Sequence, residues 1–132
     1  MKCDTFIEAL SARVKVLEVT RQCEDQVTAL VELNDLPEAV RFLYYDMGGY
    51  LTTMIPNDER SINKHYALYY ALSMEGGKMF EGDEIAQDEK CFITVKTLIS
   101  PDSLVFPSVT PLVPACVWYE REAYDMFGLV AE

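Results

Sequence analysis

Pro107-Ser108-Val109-Thr110-Pro111-Leu112-Val113-Pro114-Ala115-Cys116-Val117-Trp118-Tyr119-Glu120-Arg121-Glu122-Ala123-Tyr124-Asp125-Met126-Phe127-Gly128-Leu129 is the stretch on which the fold turns. Thr110 reads as an N-cap whose hydroxyl accepts an orphan backbone N–H, with Pro111 at the first helical position, where a missing donor costs nothing. Pro114 offers a second start. Gly128 stands where a left-handed residue ends a helix, and Leu129 is placed to fold back on Tyr124 as the apolar partner of a Schellman cap. One capped helix is therefore expected. At about 100° per residue, Val113, Cys116, Val117, Tyr124 and Phe127 share one face, and Glu120 falls in the middle of it. An ionised carboxylate there must find a cation or several donors, or else take up a proton. No nucleophile or base accompanies it, so a structural or interface role is favoured over catalysis. The reverse face carries Ala115, Trp118, Tyr119 and Met126 beside Glu122 and Asp125, and a helix apolar on both sides usually has something on both sides. Arg121 and Asp125 are spaced i,i+4 for a surface pair worth only about 0.3 kcal/mol. Glu122 reads as solvated.

A chain of 132 residues is long enough for one domain with its own core and too short for two ordinary ones, so residues 1–132 are read as a single domain. Twenty-two acidic against eleven basic residues give a net charge of −11, which repels phosphate backbones and anionic lipid and makes nucleic acid an improbable partner. Cys3, Cys23, Cys91 and Cys116 are scattered, with no Cys-x-x-Cys and a single histidine, so no local pair seeds a zinc or iron–sulfur site. All four are expected as free thiols in a reducing compartment. No apolar run approaches the ~18 to 20 residues that span a bilayer, and the amino terminus, with Lys2 close to Asp4, lacks a signal peptide's apolar core. The expected setting is cytoplasmic, with no direct membrane insertion.

Upstream, Asp4 is placed to cap a short helix carrying Phe6, Ile7, Ala9 and Leu10. Residues 14 to 23 read as a strand, a turn follows at Glu24-Asp25-Gln26, and Val27, Ala29, Val31 and Leu33 then alternate with Thr28, Leu30 and Glu32 in the period-two pattern of a second strand. These make a hairpin. Asp35, Pro37 and Glu38 open another helix with Leu36, Val40, Leu43 and Met47 inward, ended by Gly48-Gly49. That glycine pair follows a helix and lacks phosphate-loop spacing, so it reads as a cap. Tyr50 to Ile55 is extended before a Pro56-Asn57-Asp58 breaker. The strand from Lys64 to Met74 has Tyr66, Leu68, Tyr70, Leu72 and Met74 on one side, and His65 near its start reads as a surface or hydrogen-bonded residue. Residues 76 to 90 read as an acidic hairpin loop, with Met79 and Phe80 as an exposed apolar pair. Asp83, Glu84, Asp88 and Glu89 lack the spacing of a calcium loop. Cys91 to Ile99 returns as a strand. The element order argues for an α+β domain of two layers, helices packed on one mixed β-sheet with the motif helix at the carboxyl end.

The run Pro107-Ser108-Val109-Thr110 through Val117-Trp118-Tyr119-Glu120-Arg121-Glu122-Ala123-Tyr124-Asp125-Met126-Phe127-Gly128-Leu129 closely resembles the hallmark of the thirty-kilodalton subunit family of respiratory complex I, the NADH-quinone oxidoreductase. Related domains occur in membrane-associated nickel–iron hydrogenases, including the formate hydrogenlyase large subunit. Weaker similarity reaches back through the strands at His65 to Met74 and Cys91 to Ile99 to Leu51-Thr52-Thr53-Met54. In the respiratory branch a phenylalanine-containing segment, a Gly-His-Pro-like turn and an arginine-rich tail follow this helix. The sequence ends at Val130-Ala131-Glu132, so the expectation is either a piece of a longer polypeptide or contacts made without that tail.

The resemblance implies a non-catalytic assembly subunit or domain of a redox complex, with no catalytic, cofactor-binding or metal residue of its own. Its partner would be the large subunit of complex I or of a nickel–iron hydrogenase, which bears the iron–sulfur or nickel–iron centres. It would lie peripherally on the cytoplasmic side of the inner membrane through that complex. Trp118, Glu120, Arg121, Glu122, Tyr124, Asp125 and Gly128 are the motif residues expected to close the fold or face the partner. Two other readings compete: an acidic adaptor unrelated to redox chemistry, and a metal-dependent hydrolase using Glu120, Glu122 and Asp125. Glu120 and Glu122 point about 200° apart on one helix, which disfavours the hydrolase.

Overall fold

A computed structural model describes residues 3–74 and 91–132. Helix α1 (Asp4–Ser11) leads into a hairpin of β1 (Val16–Cys23) and β2 (Gln26–Val31). A 3-10 turn at Leu33–Asp35 then opens α2 (Leu36–Arg41), which runs on through a π turn at Phe42–Asp46. The chain continues as β3 (Tyr50–Asp58), a one-turn α3 (Arg60–Asn63), β4 (Tyr66–Met74), β5 (Cys91–Ile99) and β6 (Val105–Phe106). A 3-10 turn at Pro114–Cys116, then α4 (Val117–Phe127) and β7 (Val130–Ala131), complete it. Five strands form one sheet in the order β1-β2-β5-β4-β3, mixed because β2 and β5 run parallel while the other neighbours are antiparallel. This is the expected α+β architecture.

The period-two pattern explains the layers. Val27, Ala29, Val31, Leu68, Tyr70, Leu72, Ile93 and Val95 are buried on one face, and they join Phe6, Leu10, Leu36, Val40, Leu43 and Met47 of the helices in a single core. The other face of the sheet holds the half-exposed Thr28, Tyr69, Thr94 and Lys96. β4 and β5 pair along their whole length from Tyr66 opposite Ile99 to Met74 opposite Cys91, the relation expected of a hairpin. Its loop, with Met79, Phe80 and the acids from Asp83 to Glu89, lies outside the described residues.

The glycine pair ends its helix as expected. Gly48 takes φ 70°, and the Gly49 N–H donates to the Leu43 carbonyl at 2.8 Å. A Cβ on Gly49 would lie 2.7 Å from that carbonyl oxygen, so the close approach requires glycine.

Several expectations are corrected. Pro56 does not break β3 but lies within it, because β3 is an edge strand whose outer side has no ladder to satisfy. Asp35 makes no side-chain cap to α2, and Glu38 pairs with Arg41 at 2.7 Å in place of a capping box. Asp4 does not cap α1 either; its carboxylate takes the Arg21 guanidinium of β1. Cys3 and Cys91 are bridged, not free, because packing of α1 brings their Cα atoms to 5.3 Å across a sequence separation of 88. Cys23 is free and exposed, and Cys116 is free and buried.

Candidate functional site

The hallmark stretch is not one helix from Thr110. Residues 109–113 form a turn, with the Leu112 and Val113 N–H groups donating to the Val109 carbonyl, and α4 begins only at Val117. The cause lies in Glu120. Its carboxylate, 6 % exposed, points back at the segment 108–110 and accepts from the Val109 N–H (2.7 Å) and the Thr110 N–H (3.1 Å). The Ser108 Oγ (2.8 Å) and Thr110 Oγ1 (2.9 Å) also donate to it. Two successive amides and two hydroxyls make a small anion cradle, which takes up the hydroxyl that would have capped a helix at Thr110. The requirement for several donors is met without a cation among the described residues.

The cradle is held from behind. The Ser108 N–H donates to the Glu132 carbonyl at 2.7 Å, the Glu132 N–H to the Phe106 carbonyl at 2.9 Å, and β6 and β7 pair as a two-stranded parallel sheet. That small sheet and the turn at 109–113 were not legible in the sequence. A signal did exist in the two hydroxyl residues flanking Val109, inside the same hallmark as Glu120. At the other end Gly128 takes φ 73° and its N–H donates to the Tyr124 carbonyl at 2.8 Å, the expected left-handed stop. Leu129 is fully buried in the core, whereas the Tyr124 ring stays out in solvent.

The inward stripe of α4 is rotated from the expected one. Cys116, Glu120, Ala123 and the partly buried Phe127 face the core, while Val117 and Tyr124 are exposed. Trp118, Arg121, Glu122 and Asp125 are exposed as well. Arg121 does not pair with Asp125 among the described ion pairs; its guanidinium lies over the Trp118 ring, 6.0 Å from the centroid. Below the helix, burial and the Glu120 charge push the Cys116 thiol up to about 12, so it is no nucleophile at neutral pH. The same two influences raise the Tyr70 hydroxyl well above its ordinary value, and that hydroxyl has no hydrogen-bond partner among the described residues.

Glu120 faces the cradle and Glu122 and Asp125 face solvent, so the three carboxylates of the hydrolase reading do not converge. Among the described residues no group of three or more His, Cys, Asp or Glu is placed to hold a metal ion, and no helix is long and apolar enough to cross a membrane.

A second buried carboxylate escaped the sequence reading. Glu59, 5 % exposed, takes the Lys96 ammonium at 3.1 Å, the amides of Asn63 (2.9 Å) and Asn57 (3.1 Å), and the Tyr69 hydroxyl. Burial pushes its carboxyl up, but the bonds from Tyr69, Asn57 and Lys96 and the lysine charge outweigh that and hold it below the usual range. His65, half-buried, contacts the Asn63 carbonyl through Nδ1 at 2.7 Å, in line with its expected hydrogen-bonded role.

Residues 29–132 match the family described as the respiratory-chain NADH dehydrogenase 30 kDa subunit. The chain is 50 % identical over 129 residues to hydrogenase-4 component G of Escherichia coli, covering 93 % of this chain and 21 % of that protein. It is 49 % identical over 115 residues to formate hydrogenlyase subunit 5 of the same organism, covering 87 % and 18 %. It thus spans about a fifth of the length of these curated relatives. A solved trypsin-resistant fragment of Nqo5 superposes with a TM-score of 0.75 at 19 % identity, covering 100 % of this chain and 96 % of that one, which establishes the shared fold. By the match across its central strands and the whole of its hallmark helix, the chain belongs to the respiratory-chain NADH dehydrogenase 30 kDa subunit family.

Proposed function

We propose that the chain is a non-catalytic component of a redox complex of the NADH-quinone oxidoreductase or membrane-associated nickel–iron hydrogenase type. It packs against the large subunit that carries the iron–sulfur or nickel–iron centres and holds that assembly together for electron transfer. It lies peripherally, on the cytoplasmic side of the inner membrane, through its complex. The observation that carries this reading is the use to which the hallmark acid is put. Glu120 is turned inward and bonded by Ser108, Val109 and Thr110, a fold-closing contact that leaves it nothing to offer a substrate. Gly128 closes the same helix. Trp118, Arg121, Glu122, Tyr124 and Asp125 stand on its exposed side and face the partner.

Metal and flavin analysis of the isolated protein tests the reading. No stoichiometric iron, nickel, zinc or flavin is expected. Any one of them at one per chain overturns it.

A further inference from the structure

Resting on that reading, we propose that the large subunit docks on the outer arc of α4 and the adjoining start of β3. It meets them with a basic surface. If α4 served its own core alone, it would carry polar residues over its whole outer arc. Instead, at about 100° per residue, Val117 and Tyr124 stand on one flank, Trp118 at the crest and Met126 on the other flank. Trp118 is 70 % exposed, Tyr124 59 % and Met126 54 %. The helix lies against the edge strand, where the Tyr119 hydroxyl donates to the Thr52 carbonyl at 3.4 Å, and Tyr50, 71 % exposed, begins that strand. Apolar side chains gathered this way mark an association surface, and Trp and Tyr are the residue types that anchor one.

Charge chooses the partner. Glu122 and Asp125 lie among these side chains on a chain of net charge −11, so an acidic counter-surface is repelled and a basic one steered in. The sheet face away from the helices is a poorer candidate. There Ile55 and Phe92 are separated by Thr28, Tyr69, Ala71 and Thr94, and the Lys96 charge is taken by Glu59.

The test uses the tagged full chain in its own cells, with a benzophenone cross-linker installed at position 118 or at position 92. Cross-links from 118 to an iron- or nickel-bearing polypeptide, at least about tenfold more abundant than from 92, are expected for a docking anchor. Cross-links from 92 and none from 118 overturn this surface and leave the role in a redox complex standing. No such polypeptide at either position overturns that role and this surface with it. Trp118→Ala, a change at an exposed site, should reduce co-purifying iron or nickel about tenfold while the thermal midpoint stays put. Unchanged co-purification removes Trp118 as the anchor. Raising salt should weaken the association, and insensitivity to salt overturns the basic counter-surface.

Discussion

Glu120 and Glu59 are the acidic side chains that the described fold takes out of water, and it satisfies them in opposite ways. Glu120 is held by neutral donors from one contiguous triplet, Ser108 to Thr110. Glu59 is held by a cation and by neutral donors spread over β3, α3, β4 and β5. The first arrangement fixes one loop against one helix and uses main-chain N–H groups, of which only that of Thr110 has a second acceptor, the Ser108 Oγ at 3.3 Å. The second stitches several elements together at the rim of the sheet, and each donor is replaceable by the rest. Charge is therefore the lesser part of the difference. What matters is whether the donors are left stranded when the carboxylate goes.

The largest effect should follow loss of Glu120. Glu120→Ala strips the acceptor from two backbone N–H groups and two hydroxyls, at a cost of about 3 to 5 kcal/mol for breaking so buried a polar cluster. Glu120→Gln keeps an acceptor, and the hydroxyls can turn to receive its amide, so about 1 to 2 kcal/mol is expected. Urea denaturation reads both. An alanine variant within about 0.5 kcal/mol of the parent would erase the contrast between the two sites.

A smaller effect is expected at the second site. Lys96→Met leaves Glu59 with Asn57, Asn63 and Tyr69, so about 1 to 2 kcal/mol should be lost. The pH dependence sharpens the point. The Glu59 carboxyl is depressed in the folded protein, so its contribution is in place above the ordinary carboxylate range and is lost as pH falls through the folded value. Removing the lysine lessens that depression, so in Lys96→Met the acid loss of thermal midpoint should still begin in the ordinary carboxylate range but be shallower and level off at higher pH. An acid limb of the parental depth would show that Lys96 is not what holds the carboxyl down.

The two sites also mark how far the sequence could be read. Glu120 stood out because it interrupts an apolar stripe whose period is local, and burial of a carboxylate there could be expected from neighbours within a few turns. Glu59 sits beside the Pro56-Asn57-Asp58 run that read as a breaker, and its cation comes from a strand that only the β3-β4-β5 pairing brings alongside. The strands and their faces were legible because alternation is a local signal. The β6–β7 pair and the Cys3–Cys91 bridge were not, since each joins residues far apart in the chain with no pattern in between. Helix caps failed for another reason. Asp4 and Thr110 found partners across space, and Glu38 found Arg41 one turn on in its own helix, and each of these competed with the helix end.

The central claim is that the hallmark acid serves the fold and takes no part in electron transfer. Turnover per assembled complex carrying Glu120→Gln tests it most directly, with assembly counted from the iron or nickel that co-purifies. The account predicts less complex, each copy turning over at the parental rate. A normal yield of complex with turnover reduced about tenfold or more would contradict it.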